Sequence, residues 1–75
     1  MDKNVITDLE NIITDIENDT DNEIIKQSLI EVKSVTFAGL RGIIDDAIYN
    51  TEKARKERAI ECIYDAITVI ERCAR

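Results

Sequence analysis

The C-terminal third of the chain decides the fold, and from residue 59 it reads Ala59-Ile60-Glu61-Cys62-Ile63-Tyr64-Asp65-Ala66-Ile67-Thr68-Val69-Ile70-Glu71-Arg72-Cys73-Ala74. Its apolar residues recur every three or four positions, which is the period of an α-helix. They cover about 200° of the helix surface, whereas a helix packed on one neighbour needs about half of that. The pattern therefore predicts a helix covered on two sides. The predicted core or dimer seam is Ile60, Ile63, Ile67 and Ile70.

Two shorter amphipathic helices are predicted upstream of it, over residues 4–18 and 21–38. In the first, apolar residues step by four, three and four positions from Val5 onward, which places them on one face. A run of cap and turn residues separates the two helices, and within it Thr20 and Glu23 have the spacing of a capping box. The two helices are therefore expected to form an antiparallel hairpin.

The segment from residue 43 to residue 74 contains no glycine or proline and is predicted to form the third helix. Gly39 is predicted to end the second helix in the left-handed conformation, and Gly42 to free the start of the third. A continuous third helix would be about 47 Å long, against about 22 and 26 Å for the first two. Its apolar stripes before and after residue 50 differ in direction by about 120°, so either the helix kinks near that residue or it changes neighbours along its length. The mismatch in helix length likewise indicates a kink or a dimer.

The predicted fold is all-α, a single domain over residues 1–75. It is a small helical bundle, a hairpin plus a long or kinked C-terminal helix, and homodimerisation is expected to complete it. A chain of 75 residues and 8.5 kDa has little core of its own, and small domains of this size commonly need a disulfide, a metal or a partner chain.

Composition narrows the class of protein further. The chain is 44% apolar and 35% charged, which argues against both a disordered tail and a membrane protein. Its longest uncharged stretch, residues 34–40, is too short to span a bilayer. No apolar leader opens the chain, so the expectation is a cytoplasmic protein without membrane contact. Cys62 and Cys73 lie eleven residues apart, too far along one helix to bridge, and are predicted to be small buried hydrophobes.

Acidic residues are concentrated in the first half of the chain. Residues 1–36 carry nine acids and three lysines, whereas residues 37–75 carry seven residues of each sign. Such a surface repels nucleic acid and attracts a basic partner. On a helical wheel, two of the acids border one edge of the first apolar stripe and two border the other. The predicted partner-binding acidic face is Asp8, Glu10, Asp15, Glu17, Asp19 and Asp21.

One basic cluster follows, and it is formed by Lys53, Arg55, Lys56 and Arg58. On a continuous helix Glu52 would pair with Lys56, and Lys53 with Glu57, so a solvated, salt-bridged face explains most of the cluster. One alternative is that the cluster forms ion pairs with the acidic residues that border the apolar stripe of the first helix. Another is that paired C-terminal helices use it to bind nucleic acid. No aromatic residues for base stacking are interleaved with it.

Catalytic and cofactor chemistry finds little support. The chain has no histidine, the commonest general base and metal ligand. The acidic run at residues 19–23 resembles the start of a calcium loop, but the glycine and the bidentate glutamate of that loop are replaced by Ile24 and Ile30. No base is predicted to activate either cysteine. The sequence therefore predicts no enzyme, no metal or other cofactor, and no small-molecule substrate.

The function expected from these features is protein–protein interaction, as a small acidic regulator, adaptor or inhibitor that binds a basic surface of a partner protein. One alternative is a phage- or plasmid-encoded inhibitor that occupies a host nucleic-acid-binding protein by charge mimicry. Another is a nucleic-acid-binding helical dimer that uses the basic cluster.

Overall fold

The computed structural model describes residues 2–73, with side chains described from residue 5 onward. They form four α-helices: α1 (Asp2–Glu17), α2 (Asn22–Val35), α3 (Ala38–Glu52) and α4 (Lys56–Cys73). No strand is present within these residues. The all-α prediction is confirmed, and the first two helices lie within three residues of their predicted bounds.

The four helices form a closed ring in which each packs on two others. Helix α1 contacts α2 and α4, and α3 contacts the same two helices. Connections of two to four residues join consecutive helices, which is typical of antiparallel neighbours in an up-down-up-down bundle. The core runs along the axis of this ring, and all four helices contribute aliphatic side chains to it.

Helix α4 is covered on two sides, as the wide apolar arc predicts, but both neighbours belong to the same chain. Ile63, Ile67 and Ile70 are buried, and Ile60 is partly buried against the core. The apolar arc therefore gives no reason to require a second copy. Ala74, the last residue of the predicted stripe, lies outside the described residues.

The predicted long or kinked helix over residues 43–74 is two separate helices, and the break follows the predicted kink near residue 50 by three to five residues. The chain turns back at residues 53–55, and the excess length that suggested a dimer disappears, since α3 and α4 have lengths similar to those of α1 and α2. The amide of Ala54 donates to the carbonyl of Thr51, and that of Arg55 to the carbonyl of Asn50. This is a Schellman ending, with Ala54 at φ 56° in the left-handed position that glycine usually takes.

Helix α1 ends in the same way, and this ending changes the predicted cap of α2. The amide of Thr20 donates to the carbonyl of Asp15, and Asp19 is left-handed at φ 59°. Thr20 thus belongs to the end of α1, and the predicted capping box does not form. Asp21 is the N-cap instead, and its carboxylate accepts a 2.8 Å hydrogen bond from the amide of Glu23.

The prediction that Gly39 ends the second helix is also wrong. Helix α2 stops at Val35, Thr36 and Phe37 are extended, and both glycines lie inside α3 with negative φ. The Phe37 ring explains why a glycine follows, because a Cβ at Gly39 would lie 3.2 Å from it. Gly39 therefore leaves room for an aromatic ring over the first turn of α3.

Candidate protein-binding groove

The acidic residues of α1 lie on two different edges of the helix. Asp8 and Asp15 face α2, where they line a groove between the two helices. Glu10 and Glu17 are exposed on the other edge, which by helix geometry is the α4 side of α1. The two edges border the same apolar stripe, as the sequence predicts, but they belong to separate surfaces.

The groove between α1 and α2 has a volume of about 320 Å³. Ile12 and Val32 form its floor and are almost fully buried in the core. Val35 lies at one end of the α2 wall with 55% of its surface exposed. The remaining lining is polar or acidic and consists of Asp8, Asn11, Asp15, Ser28 and Glu31. A groove with a carboxylate rim is therefore open to solvent on this side of the bundle, and among its apolar residues Val35 is the one with a largely accessible side chain.

The negative charge of the groove is not compensated within the described part of the chain. No Lys or Arg lines it, and Asp8, Asp15 and Glu31 form no ion pair there. The lysines of α2 lie on the opposite side, where Lys33 pairs with a carboxylate of α3. Among the side chains that the structure describes, these three carboxylates have no cationic partner, so the groove can take a cation from outside the chain.

Two ion pairs between α2 and α3 show where those lysines are used. Lys33 Nζ lies 2.6 Å from Asp45, and Lys26 Nζ lies 3.1 Å from Glu52. The hydrogen bond to Glu52 raises the pKa of Lys26 above its ordinary value. These contacts hold the α2–α3 side together and leave the α1–α2 side acidic.

The other two predicted acidic residues have local structural roles at the end of the bundle. Asp19 forms an ion pair with Lys56, which joins the α1–α2 turn to the start of α4. Asp21 caps α2. The six predicted residues thus occupy three places, and only Asp8 and Asp15 share the groove.

Glu31 is the residue of the groove that sequence reasoning missed, together with its neighbours Asn11 and Ser28. In the sequence, Ser28, Glu31 and Val35 follow one another at helical spacing along one edge of α2. That signal is incomplete, because only the packing of the helices shows which edge of α2 faces α1.

The basic cluster is divided by the turn at residues 53–55. The predicted Glu52–Lys56 and Lys53–Glu57 pairs do not form within the described residues, because they need the continuous helix that is absent. Lys56 pairs with Asp19 instead, and Lys53 Nζ lies 5.6 Å from the centre of the Tyr49 ring. Part of the cluster thus answers an acidic residue of the α1–α2 turn within the chain. Arg55 and Arg58 are exposed at the same end of the bundle.

The two cysteines differ in environment. Cys62 is partly buried beside Asn50, whose Nδ2 lies 3.8 Å from the Cys62 sulfur. Burial raises the pKa of the Cys62 thiol, and the nearby charges of Asp46 and Asp65 act in the same direction. A thiol in these surroundings stays neutral and is a poor nucleophile. Cys73 is exposed, so the prediction that it is buried is wrong.

Among the described residues, no group of three or more Cys, Asp or Glu side chains is arranged to hold a metal ion. None of the helices found between residues 2 and 73 has the length and apolar character needed to cross a bilayer. No protein-family model matches the chain, and neither does any curated protein sequence or solved structure.

Proposed function

We propose that this protein is a non-catalytic protein–protein interaction module that binds a basic surface of a partner through the groove between α1 and α2. The observation that carries the proposal is a set of three carboxylates, Asp8, Asp15 and Glu31, that no Lys or Arg with a described side chain compensates and that surround an apolar floor. The same groove disfavours nucleic acid, since its carboxylates repel phosphates.

Charge and apolar surface have complementary effects in such a groove. Unpaired carboxylates attract basic partners over several ångströms and disfavour acidic ones, so they supply association rate and selectivity. Apolar surface supplies affinity once it is buried at the centre of an interface. Val35 offers such surface on the α2 wall, and Ile24, 57% exposed on the same helix, extends it along that edge.

Two double variants of equal charge test this function. Asp8→Asn/Asp15→Asn removes two charges from the groove, and Glu10→Gln/Glu17→Gln removes two from the other edge of α1. The wild type and both variants are used as bait in a pull-down from the native host. We expect the groove variant to lose the partner and the control to keep it. Equal recovery of partners by all three proteins would remove the groove from the interaction.

Homodimerisation, which is expected from the sequence, is not required by the fold of one chain. The sequence argument for a dimer was the length and the wide apolar arc of the terminal helix. In the structure α1 and α3 of the same chain cover that arc. A dimer would therefore have to use the exposed apolar side chains. These are Ile24, Ile30, Val35, Phe37, Tyr49 and Tyr64.

A further inference from the structure

We infer that the groove receives one amphipathic α-helix of the partner, with two basic residues spaced two turns apart and an apolar residue between them. This inference rests on the proposed function and adds the shape and residue spacing of the segment that is bound. The occupant is a basic helix of another protein, and the distribution of charge along the two walls of the groove identifies it.

The positions of the carboxylates define two binding levels along the groove. Asp8 lies nine residues from the end of α1, and Glu31 lies nine residues from the start of α2. In an antiparallel pair this places both at the same height, far from the turn. Asn11 and Ser28 are each six residues from the turn, and Asp15 is two residues from it. Two acidic levels are therefore separated by a neutral one.

The distance between these levels fits a helix. Asp8 and Asp15 are seven residues apart, which is about 10.5 Å along α1. A helix lying along the groove presents residues i and i+7 on one face at the same separation, about 10.5 Å. An extended strand presents side chains on one face every two residues, at separations of about 6.8 and 13.6 Å. Neither separation matches the roughly 10.5 Å between the two acidic levels.

The middle level carries no charge and therefore suits an uncharged side chain better than a basic one. The neutral side chains of Asn11 and Ser28 stand above the floor formed by Ile12 and Val32. A residue at i+3 or i+4 of the bound helix would enter here, between the two basic residues. Val35 extends the apolar contact beyond the Asp8 level. Such anchoring at i, i+3 or i+4 and i+7 is the usual pattern of a helix held in a groove.

A second copy of this chain offers that spacing only in α2, where Lys26 and Lys33 are seven residues apart with Leu29 and Ile30 between them. Both lysines are already paired with carboxylates of α3, Glu52 and Asp45. The outer face of α4 carries Glu57, Glu61 and Asp65, all exposed, and these would meet the carboxylates of the groove. The basic residues at positions 53–58 straddle the turn and the start of α4 rather than two turns of one helix. Charge complementarity therefore favours another protein as the occupant.

Two labelled helical peptides of identical composition test the inference. Both have a background of alanine and glutamine, with two arginines and two leucines. The first has arginine at its fifth and twelfth positions and leucine at the eighth and ninth. The second moves the later arginine to the tenth position, about 140° away from the first around the helix. Circular dichroism establishes that the two have equal helix content, and fluorescence anisotropy measures their binding.

We expect the first peptide to bind the wild type roughly tenfold more tightly than the second, because only it places both cations on carboxylates. The Asp8→Asn/Asp15→Asn variant should bind both peptides equally weakly, and the Glu10→Gln/Glu17→Gln control should keep the preference. Equal binding of the two peptides to the wild type, or binding of neither, would overturn the inference. Equal loss of the preference in both variants would also overturn it, since net charge alone would then explain the result.

The pull-down separates this inference from the proposed function. If the native partner is lost with the groove variant while the two peptides bind alike, the groove binds a basic surface that is not a helix with this spacing. If partner recovery is equal in all variants, the proposed function itself fails. Sedimentation velocity of the free protein tests the remaining alternative, a second copy of this chain in the groove. A wild-type dimer that the groove variant dissociates would show that a basic segment of one copy occupies the groove of the other.

Discussion

At the scale of single residues, Asp19 and Ala54 are the non-glycine residues with positive φ in the described part of the chain. Asp19 also forms an ion pair with Lys56, so Ala54 is the simpler of the two to test. Its φ of 56° is left-handed, which costs a non-glycine residue about 1–2 kcal/mol. We expect Ala54→Gly to raise the free energy of unfolding by about 0.5–1 kcal/mol. Glycine removes the cost of the left-handed conformation, but its unfolded chain has more conformational entropy, which offsets part of the gain. Urea denaturation followed by circular dichroism measures the change.

The matched control at the same position is Ala54→Val. A β-branched side chain is poorly accommodated at positive φ, so this variant should be less stable than the wild type. The two substitutions must therefore have opposite signs. A gain or a loss in both would mean that residue 54 does not hold the left-handed conformation in solution.

Cys62 predicts a dependence of stability on pH. Burial, followed by the charges of Asp46, Asp65 and Glu61, raises the pKa of its thiol above the ordinary value of 9.0. The folded state therefore favours the neutral thiol. The resulting stabilisation is complete below the pKa of the unfolded chain and is lost as pH rises through the higher pKa of the folded state.

The measurement is urea denaturation of the reduced protein at about pH 7.5 and about pH 10.5, on either side of the ordinary thiol range. The wild type should lose more stability between these values than Cys62→Ala, which lacks the titrating group. Cys73→Ala is the control, because its thiol is exposed and the variant retains Cys62. An equal alkaline loss in the wild type and Cys62→Ala would contradict the prediction.

Individual site residues were only partly accessible to sequence reasoning. Asp8 and Asp15 could be placed on one edge of α1 from helical period alone, because both belong to one element. Glu31 and Ser28 could not, since the sequence does not say which edge of α2 turns toward α1. The pairing of Lys56 with Asp19 likewise depends on two turns meeting at one end of the bundle.

At the scale of elements, α3 contains two glycines in different surroundings. Gly42 lies in the helix interior with nothing within 4 Å of the site of a Cβ. We expect Gly42→Ala to stabilise the protein by about 0.5–1 kcal/mol, because alanine has the higher helix propensity and a less flexible unfolded chain. Thermal and urea denaturation of the variant measure the gain.

Gly39→Ala is the comparison within the same helix. Its new Cβ would lie 3.2 Å from the Phe37 ring, so the ring must shift, and the gain should be smaller than at Gly42 or become a loss. In a Phe37→Ala background that obstacle is absent, and Gly39→Ala should become more favourable. If Gly39→Ala had the same effect with and without the Phe37 ring, the ring would not be what restricts this position.

The helices themselves were predictable to different degrees. Helices α1 and α2 have one apolar face each and clear turn residues between them, so their positions could be predicted within a few residues. The break between α3 and α4 has neither glycine nor proline, and its only sequence signal was the change in direction of the apolar stripe near residue 50. In the structure the chain reverses direction at residues 53–55. Ala54 occupies the left-handed position there, and a glycine at that position would have indicated the turn in the sequence.

At the scale of the whole molecule, the core closes within one chain. The nearly inaccessible side chains come from all four helices and include Leu9, Leu29, Leu40 and Ile63. Helix α4 packs against both α1 and α3, and these two contacts bury its wide apolar arc. A small domain thus obtains from a fourth helix the support that was expected from a partner chain, because the chain reverses direction at residues 53–55.

This closure predicts that folding does not depend on protein concentration. If no folded interface between copies is needed, the midpoint of thermal unfolding should be the same from about 10 µM to about 500 µM, whereas an obligate dimer gains stability by mass action over that range. Light scattering should give a mass near 8.5 kDa under the same conditions. A midpoint that rises with concentration, together with twice that mass, would show that the exposed apolar side chains of α2 and its neighbours form an interface. The Asp8→Asn/Asp15→Asn variant then tells whether that interface lies in the groove. It would weaken a dimer in which a basic segment of one copy lies in the groove of the other, and would tighten one in which two grooves face each other, because like charges are then removed from the contact. A contact elsewhere would not respond.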